Sequence, residues 1–388
     1  MSRLHVTTLN IFVIVVALSN AGYARTWYVK DDGSGDAPTI QAAIDSASAG
    51  DDVVVAAGTY TWSNQGTTGD HGMIFFDRNI SGFDLLSESG PEVTILDAEG
   101  LGRVMYFEAY NTNTVEGFTI KGGEAPLFGE FAGGGIALHI NDTTFRSCIF
   151  KNNHAADGGG AWVGGVCTSR FEDCRFSSNS ATRGAGVFLV NSSEPVAFDN
   201  CTFNANAATR KGGAVFAYNH YFSFTNCTFY TNSAVEEGGG MYCEKIWPSS
   251  IAYSTFALNS APMGSGIHLF NNSTLYANNI IISYGSLGPG LTTNVSSVFY
   301  LGCSDVFGNS GGNALPPGTL GSGNFFVNPE FCGTVGSHYY HLQSDSPCAP
   351  GNHPDEVPCG LIGAKPVSCL SVPTKETSWG EIKAMYKK

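Results

Sequence analysis

A short phrase, Cys-x-Phe-x-x-Asn, returns through the middle of the chain. It reads Cys148-Ile149-Phe150, Cys174-Arg175-Phe176, Cys201-Thr202-Phe203 and Cys227-Thr228-Phe229, then once more with serine as Ser254-Thr255-Phe256. Successive cysteines are 26, 27 and 26 residues apart. Three residues after each phenylalanine stands an asparagine, at Asn153, Asn179, Asn206, Asn232 and Asn259, and glycine clusters open at Gly158, Gly184, Gly212, Gly238 and Gly264. Self-similarity at this period means a solenoid, in which each unit buries its apolar face only by stacking on its neighbours.

Within each unit the apolar positions alternate with period two, which is the pattern of short strands. Strands separated by a full repeat cannot be joined by hairpins and must stack in parallel, about one strand spacing of ~4.8 Å apart. Every repeat position then becomes a ladder. Cysteine and phenylalanine form inward columns, the asparagines sit at a turn where they tolerate a left-handed backbone and bond along the stack, and the glycines supply the next corner. The fold class is therefore all-β, a parallel β-helix. A helix over Thr39 to Ala47 is expected to cap its open amino end, since Ile40, Ala43, Ile44 and Ala47 recur at helical spacing.

The first 24 residues and the last 19 belong to other regimes. Arg3 and His5, the apolar stretch Leu9 to Leu18 and small residues up to Ala24 read as a secretory signal peptide over residues 1–24, with no later stretch apolar enough for a helical membrane span. The solenoid domain is expected over 25–369, most regular over 115–282, followed by a linker and short tail over 370–388. Export makes eleven cysteines a disulfide question. The four stacked ones read as small buried hydrophobes, whereas Cys332, Cys348, Cys359 and Cys369 lie in a Pro-rich closing segment where a bridge would help. A formal charge of −14 argues against nucleic acid and anionic lipid, and leaves glycans or surface proteins as partners.

Three sets of residues are candidates for function. After each glycine corner come Ala161-Trp162-Val163, Val187-Phe188-Leu189, Val215-Phe216-Ala217, Met241-Tyr242-Cys243 and Ile267-His268-Leu269. The outer residues of each triplet point into the lumen, so the middle ones form an external stripe of Trp162, Phe188, Phe216, Tyr242 and His268 that could dock sugar rings or an apolar partner. The alternative is that these rings only steady the sheet or lie beneath loops. Glu172, Asp173 and Asp199 form the second set: stacked carboxylates raise a pKa or hold a cation. Arg146 between Glu116 and Glu172 favours an ordinary surface ladder instead. The third is the row Asp157, Arg183, Lys211 and Glu237, which reads as a register device. His139, His154, His220 and His268 are scattered over different coils, with no zinc-like spacing.

The Cys-x-Phe-x-x-Asn phrases with their Gly-Gly-Gly corners resemble the repeats of chlamydial polymorphic outer-membrane proteins. The whole of Trp27 to Ala364 is similar to bacterial right-handed β-helix proteins of the pectin-lyase-like superfamily, from the opening Trp27-Tyr28-Val29 to a last coil closing on Gly360-Leu361-Ile362-Gly363-Ala364. The resemblance implies a right-handed helix and a place outside the cell or on the outer surface of a bacterium. That superfold carries lyases, hydrolases and adhesins alike. The acidic phrases of its hydrolases do not appear as a set, so a binding or structural role without a cofactor is the first expectation. The alternative is a polysaccharide lyase or glycoside hydrolase, with calcium needed only for a lyase and with Glu124 and Glu130 of the insertion Gly122 to Ala132 as its acids.

Overall fold

The computed structural model describes residues 24–66, 69, 72–77, 82–108, 110–125, 132–294, 296–333 and 340–369. The apolar leader up to Tyr23, the tail after Cys369, Glu130 and His338 lie outside the described residues. The chain winds as a parallel β-solenoid. One coil shows the plan: Ala161–Gly164, Arg170–Glu172, Arg175–Ser177 and Ser180–Arg183 are four successive strands. Each pairs in parallel with its counterpart one coil on, Ala161 with Val187, Phe171 with Phe198, Phe176 with Phe203 and Ala181 with Ala208. The third strands form a ten-stranded sheet and the fourth a six-stranded one. First and second strands belong to a single eighteen-stranded surface, because Val187–Asp199 and Val215–Thr225 run straight through the corner that separates them elsewhere.

The lumen is filled by columns, as the alternation requires. Phe150, Phe176, Phe203, Phe229 and Phe256 stack with ring centres 4.6, 4.9, 4.7 and 4.3 Å apart. Phe145, Phe171, Phe198 and Phe224 make a second stack at 5.1, 4.8 and 4.5 Å, and the two columns meet edge to face. Parallel offset rings within a column and tilted rings between columns are the arrangements an aromatic quadrupole favours. The cysteine column lies beside them, buried and unbridged, with Cys174, Cys201 and Cys227 thiols donating to the Phe145, Phe171 and Phe198 carbonyls of the preceding coils.

The asparagine column differs from the sequence reading in one respect. The left-handed residue at this corner is the one before each asparagine: Asn152, Ser178, Ala205, Thr231 and Leu258 have φ of 54°, 54°, 53°, 54° and 56°. The asparagine itself works on the coil before it. Asn179 Oδ1 accepts the Asn153 backbone N–H at 3.1 Å while its Nδ2 donates to the Phe150 carbonyl at 3.0 Å, so one amide spans the whole corner. Asn206, Asn232 and Asn259 repeat this on the coils they follow. Ser178, Ala205 and Thr231, without special tolerance for positive φ, are thus held there by amides that reach back from the next coil.

The amino end is closed. The helix Ile40–Ser46 begins at Thr39, whose hydroxyl accepts the Ala42 N–H at 3.1 Å, and it buries Ile40, Ala43 and Ile44 against the first coils. At the other end the chain departs from the expected last coil. After isolated pairings of Leu320 and Phe325 it turns and runs back outside the ten-stranded sheet, where Gly363 N bonds Asn279 O and Ala364 N bonds Thr255 Oγ1. Bridges Cys303–Cys359 and Cys332–Cys369 fasten this segment, while Cys348 is free and buried.

Candidate functional site

The aromatic stripe forms in the expected register, Trp162 beside Phe188, Phe188 beside Phe216, Phe216 beside Tyr242 and Tyr242 beside His268. It continues toward the amino end through Ala137 and Tyr106 to Phe75. These side chains point away from the lumen and form an apolar cluster of their own. They are not the open surface patch that alternation alone suggests: Trp162 is 8% exposed, Phe216 3% and Tyr242 0%. Rings one strand apart cover one another, with centres at 5.0 Å from Phe188 to Phe216 and again from Phe216 to Tyr242. A second layer of polar side chains covers what the stacking leaves.

That layer is the row read from sequence as a register device. Arg183 forms a two-pronged pair with Asp157, at 2.7 and 2.6 Å, and its guanidinium lies 5.0 Å from the Phe188 ring centre and 5.4 Å from that of Phe216. Lys211 pairs with Glu237 at 2.8 Å, stands 4.5 Å over Tyr242 and donates to its hydroxyl at 3.1 Å. The side chains pair as expected, but they are also packed on the rings as cation–π partners, which a one-dimensional row of charges does not reveal.

Residues of both layers line a cleft of about 530 Å³. Trp162, Phe188 and Phe216 line it, with Asp157, Arg183, His139, Val190, Asn191, Tyr218 and Glu244. Val190, Tyr218 and Glu244 were not singled out from sequence, yet each lies two residues beyond a stripe ring and so faces outward from the same strand. Glycine shapes the end near Trp162. A methyl group on Gly164 would stand 2.3 Å from Trp162 Cη2, so the indole lies flat across that backbone and owes its pose to the missing side chain. At the other end the Tyr242 hydroxyl donates to Glu244 at 3.3 Å, and burial, followed by the Glu244 and Glu237 carboxylates, pushes its pKa up. Burial lowers the His268 pKa, and its Nδ1 lies 2.6 Å from the Thr292 hydroxyl.

The acidic cluster lies elsewhere. Glu172 and Asp199 are register partners, as the spacing requires, but Arg146 binds Glu172 at 3.0 Å and Glu116 at 3.2 Å, and Asp173 accepts from Asn200. Burial raises the Asp199 pKa. None of the three acids lines the cleft. His154 faces Ser180 and His220 is buried with its pKa pushed down to about 4, so the histidines stay apart; no group of three metal-binding side chains occurs among the described residues. Glu124 is exposed and pairs through its backbone with His154.

The comparisons with known proteins agree with this architecture. No curated protein matches the chain. Among solved structures, pectate lyase Pel9A superposes with a TM-score of 0.54 at 14% identity, over 89% of this chain and 97% of that one. A pectin methylesterase from carrot aligns with a TM-score of 0.30 at 14% identity, over 80% and 90%. The likeness to Pel9A, at that identity, speaks for the fold alone. The model of the right handed beta helix region matches residues 74–203, 102–245 and 135–301, overlapping stretches that together take in every repeat described above. With its parallel coils, stacked lumen columns and that match, the chain belongs to the right-handed β-helix family.

Proposed function

We propose that this chain is an exported or surface-exposed binding protein that holds a glycan in the cleft above the aromatic row. The observation that carries this is the pairing of a ring-lined floor with the fixed Asp157–Arg183 wall. A sugar presents an apolar C–H face and a rim of hydroxyls. Trp162, Phe188 and Phe216 suit the first, and Asp157, Arg183, Asn191 and Tyr218 the second. The cleft carboxylates are already engaged, Asp157 by Arg183 and Glu244 by the Tyr242 hydroxyl, which favours holding a ligand over breaking its bonds.

The test is a glycan array followed by titration of the best ligand against the wild type and Gly164→Ala. The added methyl displaces the Trp162 indole and should weaken binding by about ten-fold, the size expected for losing an aromatic anchor. Unchanged affinity in a folded variant removes the cleft from the reading. Sustained release of unsaturated or reducing-end products, with or without calcium, would replace it with a polysaccharide lyase or hydrolase.

A further inference from the structure

Register carries the phenylalanine column of the lumen past Phe256 through Ile282 and Val306. Phe325 then pairs with Asp305, which makes Phe326 the next member of the same column. Ile282 and Val306 are buried, but Phe326 is 48% exposed, and Leu320 and Val327 are exposed on the same last turn. Open ends of sheets are ordinarily guarded by charge, yet no charged residue stands from Val306 to Pro329. Nor can this turn take a further strand along its whole length: Pro316 and Pro317, which line a small cleft with Leu291, Thr292 and Thr293, have no N–H to give. Such an end calls for a cover that brings side chains. At the amino end the helix Ile40–Ser46 does this with Ile40, Ala43 and Ile44.

We infer that residues 378–388 are the matching cover and dock on the last coil with their apolar stripe on Phe326. In the sequence, Ser378 and Glu381 have the spacing of a capping box, and Trp379, Ile382, Met385 and Tyr386 recur at helical spacing. Reach permits the docking. Cys369 is bridged to Cys332 with Cα atoms 6.0 Å apart, and Cys332 follows Phe326 by six residues, so Cys369 stands within about 27 Å of Phe326. Residues 370–377 can span about 30 Å. Charge agrees as well. His353, with Nε2 2.9 Å from the Gly323 carbonyl and its ring edge-on to Phe325, sets the exposed Asp355 and Glu356 beside this end. Lys383, Lys387 and Lys388 outnumber Glu381 in the docking segment and answer those two acids. The inference stands apart from the glycan reading, whose cleft lies on other coils.

The experiment compares amide hydrogen exchange in the full chain, in the double variant Trp379→Ser with Ile382→Ser, and in a chain ending at Thr377. Neither change touches a coil. Amides of Leu320 to Val327 should exchange at least about ten-fold faster in both variants than in the wild type, while those of Arg175–Ser177 exchange alike in all three. A zero-length carbodiimide then joins carboxylates to amines in contact. In the full chain it should couple Lys383 or Lys387 to Asp355 or Glu356 within one molecule, at a yield that does not change with protein concentration. Equal exchange of Leu320 to Val327 in the three proteins overturns the inference. Protection that grows with protein concentration and survives loss of residues 378–388 also overturns it, and gives the end to a second copy of this chain.

Discussion

Replacing Asn206 by alanine removes one amide that closes a corner of the preceding coil. Its Oδ1 accepts from Asn179 N at 3.1 Å and from Asn179 Nδ2 at 3.0 Å; its Nδ2 donates to Phe176 O at 3.0 Å and to Asn232 Oδ1 at 2.9 Å. Asn179 Nδ2 keeps the Phe150 carbonyl, Asn232 Oδ1 keeps the Asn206 N–H and the Phe176 carbonyl stays in the parallel ladder, so truncation orphans one group, the Asn179 N–H. At about 1–3 kcal/mol for a buried unsatisfied group, the expected loss is about 2 kcal/mol. Asn206→Asp separates donor from acceptor. It keeps the accepting oxygen but points a second oxygen at two acceptors, so only the protonated acid, with its single O–H, restores one of the two donated bonds. Its folded pKa is therefore raised above the unfolded value of about 3.9, and the deficit relative to wild type widens as pH rises from that value. Urea midpoints at acid and neutral pH measure the deficit, and hydrogen exchange over Arg175–Ser177 and Thr202–Asn204 locates it, since a solenoid can lose coils separately. An alanine variant within ~0.5 kcal/mol of wild type, or an aspartate deficit independent of pH, would refute the account of the corner.

Phe203, fully buried between Phe176 and Phe229, should cost about 3–5 kcal/mol when cut to alanine, while outward Thr202 costs well under ~1; equal losses in denaturant melts would mean the strand is turned inside out. Asp305 is fully buried, accepts from Val327 N at 3.1 Å and has Cys348 Sγ 3.7 Å away, and burial pushes its carboxyl up to about 8. Its contribution is fully present below the ordinary value of 3.8 and is lost as pH rises toward 8, so Asp305→Asn should flatten the melting temperature across that interval; parallel curves for the two proteins count against it.

The columns were legible in the sequence because in-register stacking turns a one-dimensional repeat directly into contacts: the Phe, Cys and Asn ladders follow from spacing alone. What was lost lies between rows. Period two places Trp162, Phe188 and Phe216 outside the lumen, but says nothing of Arg183 folding sideways over them, so a covered row read as an exposed one. Ser178, Ala205 and Thr231 carry no sign of a left-handed backbone, because the bonds that hold them come from the following coil. Cys303 escaped the disulfide reading because it sits at the edge of a regular coil, and its partner Cys359 reaches it only when the closing segment doubles back. Gly164 looked like one corner glycine among many until the indole lying across it was seen.

The backward reach of each ladder asparagine gives the rod a direction of growth. A coil that has just been laid down has an unfinished corner, with an N–H and a carbonyl waiting for the next asparagine to arrive. Each arriving coil finishes its predecessor and leaves its own corner open, save at Asn259, where the next coil carries Gly285 and brings no amide. Assembly from the amino end therefore proceeds on a template that is complete except at the growing tip, whereas a coil formed ahead of its predecessor has nothing for its asparagine to close. Asn309 and Asn313 end the process, Asn309 closing the corner at Gly285 and Asn313 taking the Asn309 N–H. For a chain that leaves the ribosome, or threads through a membrane, amino end first, this polarity lets structure follow emergence one coil at a time.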